Sequence, residues 1–177
     1  VANAVHLLRH IWNTTMTENS FPQQLDGLAV LSITQLVLSE RESRDNGWWN
    51  RMADCFHPDA RIRLSWIDGD ADAFVKGSID MARRGMKARH RVGPPVVRLN
   101  GERAVASLPA IIDIPTEIGG IEAQLSSYAR SLYRVERRNG RWRIAFFDSI
   151  YMRDELVATI PGEVVPVIED TYPPDKA

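Results

Sequence analysis

An α+β domain is predicted, with a strongly curved, mixed or antiparallel sheet wrapped around helices. Three features of the sequence lead there. Apolar residues recur at helical spacing in the first half of the chain and alternate at strand spacing in the second. The resulting order is helix, helix, strand, helix and then a run of long strands joined by hairpins, unlike the alternation of a βαβ nucleotide-binding domain. Strong punctuation is confined to the ends, so residues 25–156 read as one domain, 1–24 as a helix with a connector, and 157–177 as an extended tail carrying Pro161, Pro166, Pro173 and Pro174.

Each element has its own reason. Val1 to Thr15 has amphipathic helical spacing, and Asn19 to Gln24, with Ser20 and Pro22, is the connector. Leu28 to Glu42 is helical, with Val30, Ile33 and Val37 on a stripe that continues into Arg41, Arg44 and Asp45. Asn46-Gly47 stops it, and Trp49, Met52, Cys55 and Phe56 mark a short second helix ending before Pro58. The turn His57-Pro58-Asp59-Ala60 leads to a strand in which Ile62, Leu64 and Trp66 alternate with Arg61, Arg63 and Ser65. Asp68-Gly69-Asp70 is read as a turn and Ala73 to Met86 as the third helix. Strands follow over Lys87 to Leu99, Ala104 to Ile114, Ile121 to Glu136 and Arg141 to Tyr151, separated by turns such as Asn100-Gly101 and Asn139-Gly140.

Composition narrows the function. The 177 residues are 44% hydrophobic and 25% charged, enough to bury one core. Twenty-two Lys and Arg against 23 Asp and Glu leave a net charge of −1, so no global field holds a polyanion and nucleic acid is excluded as a partner. Charged residues break every apolar stretch short of a membrane span, and His6, Arg9 and His10 interrupt Val5 to Trp12, so neither membrane nor signal peptide is expected and the chain is read as cytoplasmic. One cysteine, Cys55, makes neither an internal disulfide nor a zinc cluster. His6 and His10 are spaced i, i+4 but lack a third ligand, so no metal is assigned.

Helices on the concave side of a curved sheet leave a pocket, and the question is which polar side chains enter it. Strand alternation puts Ala88, His90 and Val92 on one face and Lys87, Arg89 and Arg91 on the other. His90 is therefore on the apolar side, either as a satisfied core histidine or as a site residue with a partner. Ile121, Ala123, Leu125, Ser127, Ala129, Ser131 and Tyr133 form a small or apolar face with room for a ligand. Trp142, Ile144, Phe146, Asp148 and Ile150 share one side of the last strand, and Asp113 and Asp148 are candidate buried carboxylates. Tyr128, Leu132 and Phe147 are assigned to the outer face, whose apolar surface predicts a homodimer or higher oligomer. His57 is expected to be exposed.

Two stretches resemble the SnoaL-like and scytalone dehydratase-like branch of the nuclear transport factor two-like superfamily. The first is Ser43-Arg44-Asp45-Asn46-Gly47-Trp48-Trp49 followed by Phe56-His57-Pro58-Asp59-Ala60; the second is Arg89-His90-Arg91-Val92-Gly93. Asn139-Gly140-Arg141-Trp142-Arg143-Ile144 is similar to that family's penultimate hairpin, and the resemblance runs from about Leu28 to Met152. It implies a cone-shaped α+β barrel with an internal pocket and aligns Asp45 and His90 with the family's active-site aspartate and histidine. The chain departs from scytalone dehydratase in having no second histidine around Ile112-Asp113-Ile114, and in carrying Arg44 and Leu64 at the places of two tyrosines. Scytalone is accordingly a poor substrate for it.

An aspartate accepting the Nδ1–H of a histidine fixes the tautomer and leaves the other nitrogen as a base or acid near neutral pH. In an apolar pocket this suits a cofactor-free lyase, a dehydratase or retro-aldol enzyme, on a small hydroxylated aromatic, polycyclic or polyketide-like substrate. Alternatives are an isomerase of the ketosteroid isomerase type, a polyketide cyclase, or a non-catalytic ligand-binding or dioxygenase small-subunit-like scaffold. Helpers are Arg41 or Arg44 for an enolate or phenolate oxygen, Tyr128, Tyr133 or Tyr151 for the leaving group, and Trp49 and Trp66 as platforms; Asp113 completes the candidate set.

Overall fold

Asp26 opens the first helix, α1 (Gly27–Asn46), by accepting the Ala29 N–H at 3.1 Å, and Gly47, at φ +71°, closes it in the left-handed conformation that glycine adopts without strain. The computed structural model describes residues 26–166. The helix expected over Val1 to Thr15 and its connector, with His6 and His10, lie outside the described residues, as do Pro173 and Pro174. The short α2 (Trp49–Asp54) follows, then β1 (Phe56–Leu64), β2 (Ile67–Asp70), α3 (Ala71–Arg83), β3 (Arg89–Val92), β4 (Val96–Asn100), β5 (Arg103–Ile118), β6 (Ile121–Arg138) and β7 (Arg141–Ala158).

The strands form one sheet in the order β2-β1-β7-β6-β5-β3, with β4 also paired to β5. Among the described residues the β1–β7 pair alone is parallel, so the sheet is mixed; it curves without closing, since β2 and β3 end the order unpaired with each other. The predicted α+β class with a curved sheet holds. α1 and α3 pack their apolar stripes, Ile33, Val37 and Phe74, against Tyr133, Phe147 and Leu108 on its inner face. Among the described residues no helix is long and apolar enough to cross a membrane.

Several expectations are corrected. Asp68-Gly69-Asp70 is not a turn but part of β2; the reversal falls at Ser65-Trp66, where β1 folds back so that Arg61 pairs with Asp70. The strand expected over Lys87 to Leu99 is two strands, because Pro94 and Pro95 lack the N–H that a continuing ladder needs. The last strand runs past Tyr151 to Ala158.

His57 is buried, not exposed. The β1 register against β7 shifts between Phe56 and Arg61, which turns His57 inward so that its Nε2–H donates to the Glu136 carbonyl at 3.0 Å. A second shift decides the faces of β7. Val135 pairs with Ile144 but Arg134 with Phe146, leaving Ala145 as an extra residue. A single extra residue reverses the alternation beyond it. Phe147, expected outside, therefore turns inward and stacks on Tyr133 with ring centroids 4.5 Å apart, followed by Ser149 and Tyr151. Phe146 and Asp148 face outward, where Asp148 is covered by an ion pair with Arg63.

Gly93 holds β3 in place. Its N–H donates to the Pro109 carbonyl at 3.0 Å, and a Cβ there would stand 2.7 Å from Pro109 Cγ. A proline ring in a strand has little freedom to yield, so Gly93→Ala is expected to cost about 1–3 kcal/mol through overpacking. Urea denaturation measures it, and an unchanged midpoint would contradict the packing described.

Candidate active site

The last two turns of α1 present Arg41, Arg44 and Asp45 toward β3, whose register with β5 (His90 opposite Ile112) aims His90 at the helix. A cavity of about 210 Å³ opens beside His90. Its walls are Leu64, Trp66, Met81, Met86, Ile112, Ile114 and Phe147, and its polar lining is Arg41, Arg44, His90, Tyr151 and the hydroxyls of Ser65, Ser127, Ser131 and Ser149. No aspartate or glutamate is among the described residues that line it.

Asp45 lies behind His90, not in the cavity. One of its oxygens is 2.6 Å from His90 Nδ1 and the other accepts the His90 backbone N–H at 2.7 Å. These two bonds orient the imidazole as a unit with the helix end. On the far side of the ring, Arg41 Nη1 is 3.3 Å from His90 Nε2. A guanidinium only donates, so Nε2 bears the lone pair and Nδ1 carries the hydrogen that Asp45 accepts. Both partners thus select the neutral Nδ1–H tautomer. Burial lowers the His90 pKa below the ordinary histidine value; the bond to Asp45 opposes this and the positive charge of Arg41 reinforces it. For Asp45, burial disfavours the charge, but the bonds from His90 outweigh it and its pKa falls.

Arg41 is itself held. Its Nε donates to Glu40 Oε2 at 2.5 Å, its Nη2 donates to Glu40 Oε1, and its guanidinium lies over the Phe147 ring, 4.7 Å from the centroid. Glu40 is completely buried and also accepts from Tyr133 Oη at 3.5 Å. Burial of Arg41 disfavours its charge, yet the Glu40 carboxylate overrides that and pushes its pKa up. Burial, countered in part by the cation of Arg41, pushes the Tyr133 hydroxyl up, so it remains a phenol.

Of the residues singled out from sequence, Arg41, Arg44, Trp66, Tyr151 and His90 meet at the cavity, and Asp45 joins them through His90. Tyr133 lies in the core below it, stacked on Phe147. Three others are elsewhere. Trp49 packs on Gly47 and the outer edge of the core beside α2, because Gly47 ends α1 and turns the chain away from the cavity. Tyr128 points out of the opposite face of β6, where its hydroxyl donates to Glu155 at 2.8 Å and Arg153 covers its ring. Asp113, on the outer face of the sheet, accepts twice from Arg91 of β3 and once from Ser126 of β6. Glu40 was missed, although it falls seven residues after Ile33 and three after Val37, on the very stripe that reaches Arg41 and Arg44. That spacing was the available signal.

Comparisons with known proteins agree with this architecture. The chain is 28% identical over 162 residues to pea pathogenicity protein 2 of Fusarium vanettenii, covering 88% of this chain and 69% of that protein. Its fold is similar to that of hexachlorocyclohexane dehydrochlorinase LinA-type3 from Novosphingobium barchaimii LL02, with a TM-score of 0.67 at 14% identity over 79% of this chain and 96% of the other. It is also similar to an NTF2-like protein with a cystatin-like fold from Novosphingobium aromaticivorans, with a TM-score of 0.57 at 14% identity over 84% and 88% of the two chains. Residues 28–148 match the SnoaL-like domain, the segment that contains both the Asp45–His90 pair and most of the cavity, and the chain belongs to that family.

Proposed function

We propose that the protein is a cofactor-independent lyase in which His90 removes a proton next to a carbonyl or para-hydroxyaryl group of a hydroxylated aromatic or polyketide-like substrate. The observation that carries this reading is the His90 Nδ1–Asp45 contact of 2.6 Å, with Nε2 on the other side of the ring 3.3 Å from Arg41 Nη1. A general base must be neutral at working pH and oriented at the proton it takes. Burial and Arg41 supply the first condition, Asp45 the second.

The chemistry follows in two steps. The C–H proton passes to Nε2 while its electron pair moves into the adjacent carbonyl, giving an enolate and an imidazolium paired with the Asp45 carboxylate. Arg41 Nη1, whose hydrogen bond occupies the Nε2 lone pair, gives it up as the substrate carbonyl enters and turns to the oxygen that becomes the enolate, leaving Nε2 open to the C–H proton. When the carbonyl re-forms, the β-hydroxyl departs as water, taking back the proton from Nε2 with Tyr151 as the second donor on the wall. The dehydrochlorinase among the fold neighbours belongs to the same broad class of elimination. A non-catalytic scaffold is disfavoured by two arginines, a histidine, a tyrosine and four serines lining a cavity that apolar side chains would fill at less cost.

A thermal-shift screen against hydroxylated aromatics and lignin-derived diols finds the ligand, since what binds the folded state stabilises it. Turnover of a hit is then followed against pH. Because His90 must be neutral to accept, kcat/KM is expected to be flat at neutral pH and to fall only below the ordinary histidine pKa. The sign for stability is the same: a histidine whose pKa is depressed by folding binds more protons unfolded, so its contribution is present above the unfolded value and is lost on acidification. Activity that rises on acidification, or ligands bound without any being converted, would rule the lyase reading out.

A further inference from the structure

We propose that the cavity receives a single-ring compound bearing a permanent carboxylate, and that Arg44 is the residue that binds it. This deepens the lyase reading by naming the substrate class, and rests on that reading only in calling the bound compound a substrate.

Size comes first. A closed apolar cavity of about 150 Å³ accepts benzene. At about 210 Å³ this one holds one ring with small substituents more readily than a polycyclic body.

Charge comes second. Two guanidiniums line the cavity and, among the described residues, no carboxylate does. Arg41 is fully engaged, with Nε and Nη2 on Glu40 and Nη1 on His90. Arg44 is different. Its side-chain contact is a donation to the thioether of Met81 at 3.8 Å, a weak acceptor, and no carboxylate of the described residues stands within ion-pair distance of it. Burial, followed by the like charge of Arg41, lowers its pKa to about 10, with Glu40 and Asp45 compensating in part from behind. Asp45 has committed one oxygen to each of the two His90 donors and opens onto the opposite side of the dyad, between Arg51 and Arg89.

A half-buried cation with no counter-ion among the described residues invites an anion into the space it faces. Position then fits the chemistry. Arg41 and Arg44 are one helical turn apart, neighbours on the same face of α1. A carboxylate seated on Arg44 places the rest of a single ring between Arg41 and His90 Nε2.

Benzoate and benzamide have nearly the same shape and differ in charge, which makes them the probes. Isothermal titration of the purified chain near neutral pH should find benzoate bound about tenfold or more tighter than benzamide, the difference between a charge-assisted and a neutral contact. Arg44→Gln should abolish that preference, Arg44→Lys should keep most of it, and Arg83→Gln, which removes an exposed cation outside the cavity lining, should leave it intact. Equal affinities in the native chain, benzoate preference surviving in Arg44→Gln, or no benzoate binding at millimolar concentration would each overturn the inference. The readout is equilibrium binding. Loss of the lyase reading alone would appear as intact benzoate preference with no turnover of hydroxylated aryl acids; loss of this inference alone would appear as His90-dependent turnover of neutral substrates only. Circular dichroism on each variant confirms that the compared proteins are folded.

Discussion

His90→Ala is expected to lower kcat/KM by about 10²- to 10⁴-fold, the usual worth of a positioned general acid or base, while the thermal unfolding transition remains cooperative. The loss should fall mainly on kcat, since the imidazole acts in the transition state more than in holding the ground state. Asp45→Asn tests the partner. The amide can still accept one His90 N–H through its oxygen, but it loses the charge that stabilises the imidazolium, so the rate should drop and the acidic limb of the pH profile should move to still lower pH. The two losses should not add. Groups that act as one unit give a double variant about as slow as the worse single one. If His90→Ala and Asp45→Asn multiplied instead, the pair would be two independent residues and the mechanism would be wrong.

The second large effect concerns stability. Glu40 is wholly buried and Arg41 is 5% exposed, and they form a bidentate pair under the cavity floor. Removing one member of such a pair leaves the other charge buried without compensation, which costs about 3–5 kcal/mol. Glu40→Gln is therefore expected to lower the urea midpoint strongly with little change in m-value. The companion variant gives the contrast: replacing both, as Glu40→Gln with Arg41→Met, removes the stranded cation and should recover most of the loss. A Glu40→Gln protein as stable as the native one would mean that Arg41 reaches solvent and that the pair is not the anchor described. Ligand binding in that variant is informative as well, because Arg41 would no longer be held over Phe147 and against His90.

Most of the elements are legible in the order of residues. Asn46-Gly47 suffices to end α1, because a left-handed residue after a helical stripe is a local matter that glycine settles alone. The hairpin at Asn139-Gly140 likewise needs only those two residues, both with positive φ. The stripe of α1 brings Arg41, Arg44 and Asp45 to the inner side, and the alternation around His90 puts the imidazole on the apolar face of its strand. Those placements depend on periods of 3.6 and 2, which are properties of short segments.

Local spacing thus specifies most of the elements, though not β2 or the break at Pro94-Pro95, together with the α+β class and which residues of α1 and β3 turn inward. Three features arise only from the folded arrangement. The inner face of β7 is one, because an extra residue at Ala145 reverses the alternation from Phe146 to Tyr151, and a bulge is defined by the neighbouring strand. The removal of Tyr128, Asp113 and Trp49 from the cavity is another, since the curvature of the sheet and the turn at Gly47 are sums over many residues. The third is the division of labour between two arginines three residues apart, Arg41 neutralised by Glu40 and Arg44 left facing the cavity with a thioether for a neighbour. A charge acquires a partner only when the chain has folded around it, and that physical fact separates the part of this site written in local spacing from the part that packing created.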